Sequence, residues 1–127
     1  MTYYLETLTG ILTTAGYSSV FYDYDNPSTE ERIFLQNTGG GQVEANQPTL
    51  SKDFSIYIRR NNRATARTVA DAIFVLLAGN EAQTAGILKI TVSTPELFSV
   101  DVNSGLPSEF IINGTCLCLD NALNSVF

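Results

Sequence analysis

The stretch FSIYIRRNNRATARTVADAIFVLL, residues 54–77, decides the fold. Its first part alternates, with Phe54, Ile56 and Ile58 on one side and Ser55, Tyr57 and Arg59 on the other, which is the period of a strand buried on one face. This predicts a strand over Asp53 to Arg60. After Asn61 and Asn62 the period lengthens. Ala66, Val69, Ala70, Ile73, Leu76 and Leu77 fall on one stripe of a helix predicted over Ala64 to Ala78. Either asparagine can cap that helix, and Gly79 can stop it. The small side chains of Ala66 and Ala70 let the helix lie close on a sheet.

Upstream, Leu5, Leu8, Ile11, Leu12 and Ala15 make an apolar helical stripe over Thr2 to Ala15, with Thr2 as a cap and Gly16 at the stop. Gly10 and several threonines weaken its intrinsic propensity, so amphipathicity carries the assignment. Val20 to Tyr24 and Arg32 to Gln36 read as neighbouring strands, joined through the turn residues Asp25, Asn26, Pro27 and Ser28. Thr38 to Pro48 holds Gly39, Gly40, Gly41 and Gln42 and little that can pack. It reads as a flexible loop and a candidate partner-contact element. No Gly-Lys-Ser/Thr and helix follow the glycines, so this is not a phosphate-binding loop.

Downstream, Ile87 to Val92 and Leu97 to Val102 read as strands separated by Pro95, with Phe98, Val100 and Val102 on one face. Asn103 to Pro107 makes a turn. Glu109 to Leu119 is a long closing strand, with Phe110, Ile112, Gly114, Cys116 and Cys118 on one face. Ile111, Asn113, Thr115, Leu117 and Leu119 take the other. Asp120 to Phe127 is a short tail with Leu123 and Phe127 as anchors. The expected fold is therefore α+β: a mixed, mainly antiparallel sheet with two helices on one face and the other face partly open. The 127 residues fit a single domain.

Charged residues make up only 16% of the chain while 44% is hydrophobic, which favours a protein that hides some of its surface in contacts. The net charge of −6 disfavours non-specific nucleic-acid binding. The absence of His excludes a Ser-His-Asp triad, a Cys-His pair and a His-containing zinc site. Cys116 and Cys118 read as two small apolar core residues, and free thiols fit a reducing compartment. No signal peptide and no run near the ~20 apolar residues of a membrane span is visible. The expectation is a cytosolically made, non-catalytic protein without cofactor or metal.

Four of the seven basic residues, Arg59, Arg60, Arg63 and Arg67, lie within nine positions. They read as a solvated helix face, as a strip that docks on acids of a neighbouring subunit (Asp23, Asp25, Glu30 and Glu31), or as a contact to DNA in a ring channel. The acids alone read as solvated turn residues, since no calcium-loop pattern surrounds them. Six tyrosines, Tyr3, Tyr4, Tyr17, Tyr22, Tyr24 and Tyr57, suit subunit docking.

Three stretches carry a resemblance to a known family: residues 54–77 quoted above, STPELFSVDVNSG at 93–105, and the closing strand Phe110 to Leu119. With an N-terminal helix and a hairpin before them, the chain is similar to the small tail-terminator and tail-completion (neck, minor capsid) proteins of long-tailed bacteriophages. The resemblance spans nearly the whole chain apart from the glycine loop. It implies a ring, commonly a hexamer, that caps the tail tube, stops its polymerisation and offers a surface to the head. Its partners would be the tail tube protein and head-tail connector proteins, with DNA passing through the channel. Its place would be the virion, after synthesis in the host cytoplasm. The alternatives are another neck, connector or tail-tube subunit, or a small ligand- or peptide-binding module on the open sheet face.

Overall fold

The computed structural model describes residues 4–24, 31–40, 49–78, 87–100 and 108–119. In chain order these form α1 (Tyr4–Thr14), β1 (Val20–Tyr22), β2 (Arg32–Gly40), β3 (Thr49–Arg60), α2 (Arg63–Ala78), β4 (Ile87–Val92), β5 (Glu96–Val100) and β6 (Ser108–Leu119). The alternation at residues 54–59 belongs to the centre of the sheet. β3 pairs antiparallel with β6 in unbroken register from Thr49↔Leu119 to Arg60↔Ser108. β2 lies antiparallel on the other side of β3. The strand order is β1-β2-β3-β6-β4, with β5 also on β6.

The face predicted from the period is the buried one. Phe54, Ile56 and Ile58 of β3, Ile33 and Leu35 of β2, and Ile112, Cys116 and Cys118 of β6 are all sealed from solvent. Leu5, Leu8 and Leu12 of α1 and Ala66, Ala70, Ile73 and Leu77 of α2 close over them. Both helices therefore cover one face of a mixed, mainly antiparallel sheet, α1 over β1 and β2, and α2 over β3, β6 and β4. Tyr4 anchors α1 across the sheet: it is fully buried and its hydroxyl donates to the Asp53 carbonyl at 2.9 Å.

The helix ends follow local chemistry. The Asn62 side-chain oxygen accepts from the backbone N–H groups of Ala64 (2.8 Å) and Thr65 (3.2 Å), so Asn62 is the cap of α2. Gly16 takes φ +104° after α1. Gly16 N–H donates to Thr13 O and Tyr17 N–H to Leu12 O, each at 3.1 Å. That pair of bonds is a Schellman stop, which a Gly at this place makes cheap. The expected cap Thr2, the stop Gly79, the turns at 25–28 and 103–107 and the tail 120–127 lie outside the described residues.

Three expectations change. β1 and β2 do not form a hairpin; they pair in parallel, Val20↔Ile33 to Tyr22↔Leu35. Ser19 (φ +55°) and Asp23 (φ +68°) bracket β1 in the left-handed region. The chain is thereby turned out of the sheet at both ends, while Ile33 N–H bonds Ser19 O (2.9 Å) and Asp23 N–H bonds Leu35 O (3.1 Å). Second, β2 runs on through Thr38, Gly39 and Gly40, which the sequence placed in the loop. Gly39 reaches φ +133° at an irregularity after Asn37, whose side chain accepts from Gly39 N–H at 3.0 Å. Gly41 and Gln42 lie outside the described residues. Third, β3 begins at Thr49, four residues before the strand read over Asp53 to Arg60. β4 and β5, read as strands on either side of Pro95, both lie on one edge of β6. They are one edge strand interrupted at Ser93, Thr94 and Pro95, where proline offers no N–H to the ladder. Ser93 N–H still bonds Asn113 O at 2.8 Å.

Gly114 leaves no room for a side chain on the core side. A Cβ there would lie 2.5 Å from Phe54 Cζ and 2.6 Å from the Thr91 carbonyl oxygen. Gly114→Ala is therefore expected to destabilise the fold by about 1–3 kcal/mol. Gly10→Ala, on α1 with nothing within 4 Å of the added carbon, is expected to stabilise it by about 0.5–1 kcal/mol. Urea unfolding of the two variants beside the parent checks both signs.

Candidate docking surface

The sheet face turned away from the helices is organised as a ladder of directly opposed pairs on β3 and β6: Asp53 with Thr115, Ser55 with Asn113, Tyr57 with Ile111, and Arg59 with Glu109. Thr115 Oγ1 donates to Asp53 Oδ1 at 2.8 Å, Ser55 Oγ donates to Asn113 Oδ1 at 2.6 Å, and Arg59 Nη1 meets Glu109 Oε2 at 3.4 Å. Cross-strand partners of this kind each contribute about 0.2–1 kcal/mol and fix the register. The pairs divide the face into two zones.

One zone is aromatic. Phe34 of β2 stacks on Tyr57 of β3 with centroids 5.9 Å apart, and Phe98 of β5 meets Tyr57 edge-on at 5.1 Å. With Arg32, Arg59 and Glu109 these rings line a shallow groove of about 230 Å³. The other zone is polar: Thr38, Asp53, Thr91, Ser93, Asn113 and Thr115 line a broad depression of about 410 Å³. Large apolar side chains are also exposed at the sheet's margins. Tyr24, 69% exposed, follows β1 with its ring 6.5 Å from that of Phe21, and Leu97 and Phe98 of β5 are 46% and 55% exposed.

The structure separates the arginine cluster. Arg59 lies on the open face, in its ion pair with Glu109. Arg60 donates to the Arg59 carbonyl at 2.9 Å. Arg63 and Arg67 are exposed on α2, over the opposite face, and Arg67 lies 3.9 Å from Asp71 one turn on. Of the acids, Asp23 is exposed after β1, and Glu31 accepts from Asn61 N–H at 3.1 Å, which brings it to the turn that precedes α2. Asp25 and Glu30 lie outside the described residues. The aromatic trio was missed in the sequence. Phe34 and Tyr57 do stand at the outward positions of their strands, but Phe98 was grouped with Val100 and Val102, and only the fold brings three strands' rings together.

Cys116 and Cys118 are free and buried on the core side. Burial pushes the Cys118 thiol up to about 11, partly offset by the nearby Lys52 ammonium. Burial and the neighbouring Cys118 push Cys116 up as well. Both are protonated near neutral pH and unsuited to nucleophilic work. Lys52 is itself almost buried, with Nζ 5.6 Å from the Tyr4 ring centroid. Among the described residues no three His, Cys, Asp or Glu side chains converge as a metal site, and no helix is long and apolar enough to cross a membrane.

These features define an α+β protein that presents a zoned sheet surface flanked by exposed aromatic edges. Among solved structures its fold is similar to a chain of the virion of a native gene transfer agent particle, with a TM-score of 0.61 and 14% sequence identity over 86% of this chain and 84% of that one. No protein-family model matches the chain, and no curated protein matches it either.

The raised thiol values carry a pH dependence. An unfolded thiol ionises near pH 8.5, below the folded values, so the unfolded state loses protons first as pH rises. The stability held by the protonated thiols is complete below about pH 8.5 and falls between there and about 11. Urea midpoints measured from pH 7.5 to 10.5 should decline, and less steeply in the Cys116→Ala/Cys118→Ala variant. A thiol reagent at pH 8 should label the folded chain far more slowly than the unfolded one.

Proposed function

We propose that this chain is a structural subunit of a phage virion: a tail terminator whose copies close into a hexameric ring that caps the tail tube and presents the docking surface for the head. The observation that carries the reading is the fold likeness to a virion chain across 84% of that chain's length. The sequence resemblance to tail-terminator and tail-completion proteins points the same way. The surface suits the role, because the groove of Phe34, Tyr57 and Phe98 and the exposed Tyr24 and Leu97 give a chain of low charge content the apolar area that subunit contacts bury. In this reading Arg63 and Arg67 of α2 meet the acids around Asp23 and Glu31 of the next copy, and the polar zone and the glycines at 39–41 serve contacts with the tail tube or connector proteins. The ring's channel passes DNA.

Solution mass across a concentration series, by light scattering or native mass spectrometry, tests the reading. A single closed multiple of the chain, seen as a ring with a central hole by electron microscopy, is the expected result. Reversing Arg63 and Arg67 to Glu is expected to shift that species toward monomer without changing the urea midpoint of the monomer by more than about 0.5 kcal/mol equivalent. An open, unlimited polymer would favour a tail-tube subunit instead. A chain that remains monomeric at every concentration, alone and with tail tubes, would sink the ring.

A further inference from the structure

An apolar row crosses four strands of the open face. Phe21 of β1 stands in register with Phe34 of β2, Phe34 with Tyr57 of β3, and Tyr57 with Ile111 of β6. Phe98 of β5 adds its ring beside Tyr57, and Phe34, Tyr57 and Phe98 line the groove with Arg32, Arg59 and Glu109. At the β1 end of the row, beside Phe21, stands Tyr24. It is the most exposed large apolar side chain among the described residues. The row thus carries a protruding ring at one end and a ring-lined groove toward the other.

Charge distinguishes the ring from the groove. In the groove lining, Arg32 stands directly opposite Arg59, and Arg59 opposite Glu109. Like charges in directly opposed positions destabilise a sheet. Glu109 meets Arg59 at 3.4 Å, so these three side chains leave one positive charge in excess at the groove. Tyr24 has the reverse setting. Asp23, directly before it, is exposed. Residues 1–31 contain Glu6, Asp23, Asp25, Glu30 and Glu31 and neither Lys nor Arg. Asp23 also takes φ +68°, which turns Tyr24 out of the line of β1.

We infer that Tyr24 of one copy seats in the groove of Phe34, Tyr57 and Phe98 of the next, with Asp23 facing Arg32 and Arg59. The groove suits an apolar ring carried beside a carboxylate, and the chain displays that pair itself, so the occupant is a second copy. A tyrosine is apt for the place, with an apolar body for the rings and a polar tip that can stay wet. A nucleobase with its phosphate offers related chemistry, but the net charge of −6 opposes it. The inference deepens the ring reading and rests on it. The contact joins two different patches, as a head-to-tail ring requires. β3 leaves the groove through Arg59 and Arg60 and α2 begins at Arg63, so the groove and the first turn of α2 lie at one end of the molecule. The acidic flank that meets Arg63 and Arg67 in that ring therefore brings Tyr24 to the groove as well.

Two truncations and their mixture test this. Tyr24→Ala removes the protruding ring and keeps the groove, and Phe98→Ala opens the groove and keeps the ring. Both side chains are exposed, so urea midpoints are expected to stay at the parent's value. Each substitution is expected to raise the concentration for half-assembly about tenfold or more. Native mass spectrometry of an equimolar mixture is expected to show pairs holding one of each variant, because a sound ring and a sound groove then meet across one contact. Assembly left unchanged by either substitution overturns the contact and leaves the larger ring standing. Weakening in both variants without mixed pairs does the same. A single-stranded oligonucleotide that binds the parent and is lost in Phe98→Ala, with assembly unchanged, assigns the groove to nucleic acid instead. A parent that forms only a dimer, broken by both substitutions, keeps the contact and overturns the hexameric ring. A parent that never assembles, alone or with tail tubes, overturns both.

Discussion

The pairing of β3 with β6 is the constraint on which the rest of the structure depends. It is the longest uninterrupted register in the sheet, running from Thr49↔Leu119 to Arg60↔Ser108, and every other strand but β1 attaches directly to one of its two members. Its two faces set the two sides of the molecule. On one, Phe54 lies across Gly114, where only a missing Cβ leaves room for the ring. On the other, hydroxyls, amide, carboxylates and guanidinium meet as opposed pairs. The helices follow from the first face and the candidate docking surface from the second.

Much of this is visible in the residues themselves. The period of Phe54, Ile56 and Ile58, the stripe from Ala66 to Leu77 and the alternation of the closing strand each assign one buried face, and the structure buries those residues, Val69 and Leu76 only in part. Asn62, through its side-chain oxygen, and Gly16, through its lack of a Cβ, do what such residues favour at helix ends. What escaped is polar sequence inside regular structure. Ser51 and Lys52 do not look like the continuation of a half-buried strand. Lys52 is accommodated because the Tyr4 ring sits beside its ammonium, and Tyr4 is 48 positions away in the chain. The glycines at 39 and 40 likewise lack any strand propensity and are held by their partners on β3.

The candidate site was less legible than the fold, for a related reason. The arginines from 59 to 67 are close in sequence, yet the turn at Asn61 and Asn62 sends Arg59 to the open face and Arg63 and Arg67 over the other. Proximity along the chain therefore overstated their common purpose. The aromatic groove shows the converse. Phe34, Tyr57 and Phe98 are far apart in sequence, and their meeting depends on the order of β2, β3, β6 and β5 in space.

The β3–β6 register also sets the order of events when the chain folds. Its partners are separated by 48 residues at the near end and 70 at the far end. Closing loops of that size must precede any reward from the contacts they bring together. During synthesis, β2, β3 and α2 leave the ribosome well before β6 does, so β3 waits with one side of its ladder vacant. At roughly 5–20 residues per second, that interval lasts several seconds. Until β6 arrives, the nascent chain is exposed to the pairing hazards of an open central strand, and the translation rate between Arg60 and Ser108 becomes part of how safely the sheet is completed.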